Sequence, residues 1–291
     1  MHFVQAKGIL SAKNGMNLYR GCTHGCIYCD SRSECYHINH SFEDIEIKEN
    51  AIELLTDALQ RKRNKCMIGT GSMTDPYMPL EEKLGMTRKA IETVYRYGFG
   101  FTVITKSPLI LRDLELLQAV NTKAKCVVQM TLTTSDDSLC KILEPNVAVT
   151  SERFTVLKTL RDAGIPTVVW LTPTLPFIND TVENLEGILQ YCIEAKVFGI
   201  ICFGMGLTLR DGNREYFYKK LDAAFPGLKE QYIQRYSNRY SVMSPHNTRL
   251  MTIFRARCKE NDIETNPDVI FTYLNSFDTI TGKTNAQLEL F

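Results

Sequence analysis

The chain has 291 residues, 44% of them hydrophobic, and a formal net charge of +1. This charge gives no overall bias toward nucleic acid or an acidic membrane surface, and no apolar run of about 18 residues predicts a membrane span. The first residues lack the basic and then apolar pattern of a secretory signal. The sequence therefore predicts a cytoplasmic protein whose ten cysteines do not form disulfides.

Apolar segments alternate with helical patterns over the first 210 residues. Six segments rich in Val, Ile, Thr and Phe are predicted strands: 16–21, 66–71, 99–105, 126–133, 166–173 and 198–204. Between them, apolar residues three or four positions apart predict helices. This alternation predicts an α/β fold with a parallel sheet, which closes into a full or partial barrel or stays open and doubly wound. In each case the chemistry belongs at the C-terminal ends of the strands.

The pattern becomes helical after about residue 210. Helices are predicted at 213–225, 228–236 and 245–261, the last one after a Ser244 cap, and a polar tail ends at residues 287–291. Since no low-complexity linker interrupts the chain, we predict one domain. It consists of a core barrel (residues 1–210) and a C-terminal helical extension (residues 211–291).

Three cysteines follow the first predicted strand with the spacing C-x3-C-x2-C: Cys22, Cys26 and Cys29. In a chain with ten cysteines such a triplet is expected about 0.01 times by chance. Thiolates favour zinc or an iron–sulfur cluster. A structural zinc ion needs a fourth ligand, which His24, Cys35 or His37 could supply. A [4Fe–4S] cluster on three cysteines leaves one iron open, so both sites are compatible with the spacing.

The triplet, with Tyr28 before its last cysteine, resembles the motif of the radical S-adenosylmethionine (radical SAM) superfamily. TDPYMPLE (74–81), ITKSPLILRDLELL (104–117), TLTTSD (131–136), LEPN (143–146) and the final QLELF resemble its spore-photoproduct-lyase-like branch. The resemblance covers most of the chain in the expected order. It implies a partial (β/α)6 barrel of the TIM type.

The resemblance also implies the chemistry. The open iron of a [4Fe–4S] cluster on the three cysteines would bind S-adenosylmethionine. One electron from an external donor of the flavodoxin or ferredoxin type would cleave it to methionine and a 5′-deoxyadenosyl radical, which abstracts hydrogen from a substrate. The chain is thus predicted to be a radical SAM enzyme with lyase or oxidoreductase chemistry.

Residues at the ends of the second and third strands are candidates for binding S-adenosylmethionine. By the resemblance, backbone carbonyls at Gly71 and Ser72, or the Asp75 carboxylate, bind the amino group of its methionine part. Alternatively this segment is a glycine-rich turn. Lys106, at the end of the third strand, would pair with the cofactor carboxylate, unless it is a solvated strand end.

Further cofactor-binding candidates are Tyr28, Thr131 and Glu144. Thr131 shares one strand face with Gln129 and Thr133, which suggests a lined cavity at the ribose and methionine groups. Glu144 is either a cofactor contact or a surface acid. Three residues are weaker candidates for facing the substrate: Asn179, Asp180 and Arg210.

Two departures from the branch argue against the reaction of the lyase itself. The segment Gly71-Ser72-Met73 has no cysteine where the lyase has its hydrogen donor, and Asp30 replaces an aromatic residue. Residues 209–259 contain eleven Lys and Arg against four acidic residues, with interleaved tyrosines. That pattern is typical of nucleic-acid binding or of helices that pack through their aromatic side.

We therefore favour a nucleic-acid or peptide substrate. The alternative is a zinc-stabilised nucleic-acid-binding protein without redox chemistry.

Overall fold

The computed structural model describes residues 1–277, so the polar tail at 287–291 lies outside the described residues. The strands in chain order are β1 (His2–Val4), β2 (Gly15–Met16), β3 (Tyr19–Arg20), β4 (Glu46–Lys48), β5 (Met67–Thr70), β6 (Gly100–Thr105), β7 (Cys126–Thr131), β8 (Thr167–Trp170), β9 (Gly199–Ile201), β10 (Gly206–Thr208) and β11 (Ser241–Met243). Their Val, Ile, Phe and Thr side chains are largely buried on both faces of the main sheet, as expected for parallel strands covered by helices.

Helices cover the outside of this sheet and form most of the C-terminal part. They are α1 (Ala51–Arg61), α2 (Pro79–Leu84), α3 (Met86–Tyr97), α4 (Leu114–Lys123), α5 (Asp137–Leu143), α6 (Thr150–Asp162), α7 (Val182–Glu194), α8 (Asn213–Ala224), α9 (Leu228–Tyr236), α10 (Asn247–Glu260) and α11 (Pro267–Asn275). Within the described part of the chain, none of these helices combines the length and apolar composition that crossing a bilayer requires.

The main sheet has the order β2-β5-β6-β7-β8-β9, and every neighbouring pair is parallel. Strands that are neighbours in this sheet follow one another along the chain, without the reversal of order that defines a doubly wound sheet. The predicted partial (β/α)6 barrel is therefore confirmed, and the open alternative was wrong. Five of the six predicted strands correspond to β5, β6, β7, β8 and β9, with shorter bounds. The first, 16–21, is divided between β2 of this sheet and β3 of a smaller one.

Two smaller sheets were not predicted. Strand β4 lies between β1 and β3, and β10 pairs antiparallel with β11 across about thirty residues of helix. Over its described residues, 211–277, the extension therefore consists of helices, loops and the single strand β11. Residue 210 falls between the two strands of this β10–β11 ribbon. The three predicted C-terminal helices are present as α8, α9 and α10. The Ser244 hydroxyl accepts the His246 N–H at 2.9 Å, just before α10 begins.

A second core, separate from the barrel core, supports the cysteine segment. It joins Cys26, Ile27 and Tyr28 to Phe217 of α8 and Tyr232 of α9, among other side chains. Most aromatic residues between 211 and 277 are thus committed to packing. This outcome matches the alternative interpretation of the basic and aromatic pattern, helices that pack through their aromatic side.

Candidate functional site

The three cysteines lie on a tight segment, residues 21–29, that we call the cysteine loop. Gly21 has φ +88°, and a Cβ there would lie 2.5 Å from the Phe42 carbonyl oxygen. The Cys22 N–H donates to that same oxygen at 2.9 Å. The loop therefore begins against the backbone of residue 42, in a position that favours glycine.

Two of the three cysteines, Cys26 and Cys29, line a cavity of about 520 Å³, which we call the cofactor cavity. Burial, with a smaller contribution from Asp75, raises the pKa of Cys22 to about 12. Burial raises the pKa of Cys26 as well. Burial therefore favours the neutral thiols, and a positively charged metal group beside them would favour the thiolates instead.

The spacing of the sulfur atoms fits a cluster better than a single zinc ion. Tetrahedral Zn–S bonds of about 2.3 Å place thiolates about 3.8 Å apart. Within residues 1–277, the three cysteines do not form a group with all ligand atoms within 4.8 Å of one another, and neither His24 nor Cys35 completes one. An iron–sulfur cluster takes its thiolates on different iron atoms, so the wider spacing fits it.

The LEPN segment, residues 143–146, holds the cysteine loop from the side. The Leu143 carbonyl accepts the Ile27 N–H at 2.9 Å, and the Asn146 N–H donates to the His24 carbonyl at 3.2 Å. The Asn146 side-chain amide donates to the Thr23 carbonyl at 2.9 Å. We call residues 143–146 the clamp. Its role is to fix the backbone that carries the thiols.

Glu144 lies behind the cavity wall and does not line the cavity. Its carboxylate is fully buried, accepts the Tyr28 hydroxyl and pairs with the guanidinium of Arg153. Burial acts to raise the pKa of Glu144, but Arg153 and Lys106 hold it below its ordinary value. Arg153 also donates to the Thr131 carbonyl at 3.0 Å. The buried pair thus ties the cysteine loop to the end of β7.

Asp75 joins the ends of β5 and β6 rather than lining the cavity. Its Oδ1 accepts the Thr105 hydroxyl at 2.7 Å and the Tyr77 N–H at 2.9 Å. Its Oδ2 accepts the Lys106 N–H at 2.7 Å and lies 3.5 Å from Nδ1 of His24. These contacts fix the backbone of Lys106 and of the residues beside it.

Lys106 brings a positive charge to the cavity wall. Its Nζ lies 5.9 Å from the ring centre of Tyr28. Its ammonium group has no hydrogen bond or ion pair within residues 1–277, although its backbone N–H donates to Asp75. Burial acts to lower the pKa of Lys106, but Cys26 and Glu144 together outweigh it, so the pKa is raised. The side chain is charged and available to an anionic ligand.

Gly71, Ser72 and Thr131 line the same cavity. Gly71 has φ +99°, and a Cβ there would lie 2.1 Å from the Ile104 carbonyl oxygen. Close approach of the ends of β5 and β6 therefore requires glycine at this position. Behind Thr131 on the same strand face, Gln129 donates to Thr102 at 2.8 Å and accepts the Trp170 N–H at 2.8 Å.

The cavity opens between the barrel and the β10–β11 ribbon. At this mouth, Arg210 donates to the Tyr240 hydroxyl at 3.0 Å and to the Cys35 sulfur at 3.3 Å, and its Nε lies 3.5 Å from Asp30. Tyr240 and Phe203 are 50% and 62% exposed. The mouth therefore presents a cation beside exposed aromatic rings.

The sequence-predicted candidates divide into two groups in the structure. The cavity is lined by Cys26, Cys29, Tyr28, Gly71, Ser72, Lys106, Thr131 and Arg210. Cys22, Asp75 and Glu144 lie behind this lining. Asn179 and Asp180 are buried and bonded internally, to the Thr133 carbonyl and to the Ser244 hydroxyl among others, so they do not face a substrate.

Arg153 is the residue of this site that sequence reasoning missed. It is fully buried and contacts both Glu144 and the end of β7. Arg153 lies on the buried face of α6, with Val156, Leu157 and Leu160. A charged residue of an amphipathic helix is expected on the opposite face, which is exposed to solvent. The sequence held no signal for Arg153, because a buried carboxylate needs a paired cation but the burial of Glu144 is known only from the fold.

A partial barrel that carries three cluster cysteines after its first strand, beside a cofactor cavity, defines a class of iron–sulfur enzymes. The family model of the radical SAM superfamily matches residues 16–220, and this chain belongs to that superfamily. Enzymes of this superfamily use a [4Fe–4S] cluster and S-adenosylmethionine, and they need an electron donor. The predicted zinc-stabilised protein without redox chemistry was therefore wrong.

Curated relatives are uncharacterised proteins. One from Mycobacterium tuberculosis is 28% identical over 76% of this chain, and the match spans 66% of the relative's length. Another, from Methanocaldococcus jannaschii, is 30% identical over 62% of this chain and 66% of the relative.

Solved structures of spore photoproduct lyase share the fold. A mutant of that lyase matches with a TM-score of 0.63 and 13% identity over 89% of this chain and 78% of the lyase. A further mutant, solved with bound S-adenosylmethionine and dinucleoside spore photoproduct, gives 0.61 and 12% over 84% and 72%. The predicted likeness to this branch is confirmed at the level of the fold.

Proposed function

We propose that this radical SAM enzyme abstracts a hydrogen atom from a nucleic-acid substrate that enters between the barrel and the β10–β11 ribbon. The observation that carries the proposal is the mouth of the cavity, where Arg210 contacts exposed Tyr240 and where exposed Phe203 lines the same cavity. An arginine suits a phosphate group, and exposed aromatic rings suit the faces of bases. A flavodoxin or ferredoxin is the proposed electron donor.

The cofactor end of the cavity supports a division of roles among the lining residues. Bound S-adenosylmethionine supplies a 5′-deoxyadenosyl radical when it is reductively cleaved at the cluster. We assign Cys22, Cys26 and Cys29 to the cluster and Lys106 to the carboxylate of the cofactor. Backbone carbonyls at Gly71 and Ser72 would take its ammonium group.

The remaining predicted residues act by positioning in this proposal. Asp75 accepts three hydrogen bonds, one of them from the backbone N–H of Lys106, and lies 3.5 Å from His24, so its oxygens are committed. Glu144 holds the Tyr28 ring against the cavity from behind. Thr131 is assigned to the wall that faces the ribose and methionine parts of the cofactor, next to the polar chain that starts at Gln129.

The basic residues outside the mouth of the cavity support nucleic-acid binding less than the sequence suggested. Arg214 donates to the Leu209 carbonyl at 2.7 Å, Lys229 pairs with Asp222, and Arg257 pairs with Glu186. These cations of the extension are satisfied within the protein. Arg210 also has partners, Asp30 and Tyr240, but unlike these cations it lines the cavity, so we expect recognition to concentrate there.

The test is binding of a fluorescent single-stranded oligonucleotide to the cluster-loaded protein with S-adenosylmethionine, across a series of salt concentrations. Arg210→Ala is expected to weaken binding and to reduce the salt slope by about one phosphate contact. Arg249→Ala is the matched control, because this exposed arginine of α10 does not line the cavity.

A second readout is 5′-deoxyadenosine production after reduction, measured with oligonucleotides and with peptides. Stimulation by oligonucleotides, with deuterium passing from a labelled oligonucleotide into 5′-deoxyadenosine, supports the proposal. Stimulation by peptides alone, or equal binding by the Arg210→Ala and Arg249→Ala variants, would overturn it.

A further inference from the structure

We propose that a divalent metal ion of the zinc type binds outside the cofactor cavity, on the small N-terminal sheet, at His2, His40 and Glu46. One ligand atom of each of these residues lies within 4.8 Å of the others. Among residues 1–277 no other three His, Cys, Asp or Glu side chains meet this criterion. The residues come from β1, from the segment before β4, and from β4 itself, so the fold brings them together.

The hydrogen bonds of the two histidines leave a nitrogen of each ring available. Nδ1 of His2 lies 3.0 Å from a carboxylate oxygen of Asp44, and Nδ1 of His40 lies 2.9 Å from the Ser41 carbonyl oxygen. Each oxygen is an acceptor, so Nδ1 carries the proton and Nε2 is the nitrogen with a lone pair. Metal-binding histidines are typically oriented in this way, by a carboxylate or carbonyl behind the ring.

Nε2 of His40 supplies a second and independent observation. This atom is buried and has no hydrogen-bond partner among the described residues. It lies 3.8 Å from a carboxylate oxygen of Glu46. That distance is too long for a hydrogen bond, but close to the separation of about 3.4 Å between two ligands on a tetrahedral zinc ion. A metal ion would satisfy both atoms.

The ligand types select the class of metal. Two imidazoles and one carboxylate suit zinc and similar transition metals, whereas calcium and magnesium prefer sites made of oxygen. A water molecule would complete the tetrahedron. Arg20 lies opposite Glu46 across the β3–β4 pair, but its guanidinium donates to the carbonyls of Tyr36 and His37.

A metal ion here would fix the segment on which the cysteine loop begins. His40 is two residues from Phe42, whose carbonyl accepts the Cys22 N–H. Gly21 packs against the same carbonyl. By anchoring His40 to β1 and β4, the ion would hold this carbonyl in place, and with it the first cluster cysteine. The proposed site is therefore structural, and it supports retention of the cluster.

The experiment uses the cluster-loaded protein, dialysed anaerobically against zinc and then against metal-free buffer. Metal analysis gives the zinc per chain, and zinc X-ray absorption gives the ligand atoms. Nitrogen and oxygen ligands lie at about 2.0–2.1 Å and sulfur at about 2.3 Å, so zinc on the cluster cysteines is recognised. The variants are His40→Ala and Glu46→Gln, and the control is His37→Asn. Residue 37 is exposed with φ +51°, a conformation that asparagine tolerates.

One zinc per chain with nitrogen and oxygen ligands is expected for the natural sequence and for His37→Asn. A loss of affinity of about tenfold or more is expected for His40→Ala, together with faster iron loss to a chelator in the presence of zinc. Glu46→Gln keeps the shape of the side chain and gives the same readout should His40→Ala fail to fold. Zinc bound through sulfur alone, or equal binding by all variants, would refute the site.

Discussion

Lys106 is the residue whose charge the cofactor cavity leaves unpaired, among the residues that the structure describes. If this ammonium binds the carboxylate of S-adenosylmethionine, Lys106→Ala removes one charge-assisted contact, worth about 1.5–3 kcal/mol. We expect about 10- to 100-fold weaker binding of S-adenosylmethionine. Equilibrium dialysis with the cluster-loaded protein measures it.

The control for this prediction is Lys83→Ala, which removes an exposed lysine of α2. It is expected to leave the affinity for S-adenosylmethionine unchanged, and both variants are expected to keep the full iron content. Equal affinity of the Lys106→Ala and Lys83→Ala variants would contradict the assignment of Lys106.

Glu144 and Arg153 form a buried ion pair, so removing the charge of one residue leaves the other charge buried without a partner. Replacing Glu144 by glutamine is therefore expected to destabilise the protein by about 3 kcal/mol. Denaturant unfolding at neutral pH measures this loss. Glu82→Gln, which changes an exposed acid of α2, should leave the free energy of unfolding nearly unchanged.

The same carboxyl predicts how stability depends on pH. The folded-state pKa of Glu144 lies below its ordinary value, since Arg153 and Lys106 outweigh the effect of burial. Its contribution is therefore complete above the unfolded pKa of about 4.3 and is lost as the pH falls through the lower folded-state pKa. The stability difference between the natural sequence and Glu144→Gln should shrink over this acid range. A difference that stays constant down to about pH 2 would contradict the assignment.

At the scale of elements, the end of β5 must approach the end of β6 closely. In Gly71→Ala the new Cβ would lie 2.1 Å from the Ile104 carbonyl oxygen, in addition to the cost of φ +99°. We expect a loss of about 2–4 kcal/mol in the free energy of unfolding from strain and overpacking, and weaker binding of S-adenosylmethionine.

Gly85→Ala separates these two costs. Gly85 has φ +61°, and a Cβ there would meet no atom within 4 Å. It should therefore show the conformational cost alone, about 1–2 kcal/mol, with unchanged cofactor affinity. Similar losses in the two variants would mean that the approach of β5 to β6 does not depend on Gly71.

The lengths and pairing of the strands explain which of them could be predicted from the sequence. The barrel strands were predictable because buried runs such as 100–105 and 126–131 are rich in Val, Ile, Phe and Thr or Met and are bounded by helical patterns. The β10–β11 ribbon was not, since each strand has three residues and the pairing spans two helices. Side-chain roles show the same division. The cysteine spacing was informative in itself, whereas the partners of Asp75 and Glu144 come from distant segments whose approach only the fold determines.

At the scale of the whole molecule, the C-terminal extension serves as the outer support of the cysteine loop. Phe217 of α8 is fully buried in the second core, which also contains Cys26, Ile27 and Tyr28. Phe217→Ala is therefore expected to cost about 3–5 kcal/mol and to loosen the loop that holds the cluster. The measurement is the rate at which a chelator removes iron from the anaerobic, cluster-loaded protein, and we expect a clear increase.

Phe99→Ala distinguishes this specific effect from a general loss of stability. Phe99 is equally buried but belongs to the barrel core, directly before β6, at the end of the sheet opposite to the cluster. Its replacement should cost a similar free energy of unfolding while the rate of iron release stays close to that of the natural sequence. If both variants release iron equally fast, cluster retention follows global stability, and the extension has no particular role in it. Faster release from Phe217→Ala alone would mean that the second core stabilises the cluster locally. The truncation would then loosen the cysteine loop, which shares this core with Phe217, more than it loosens the rest of the protein.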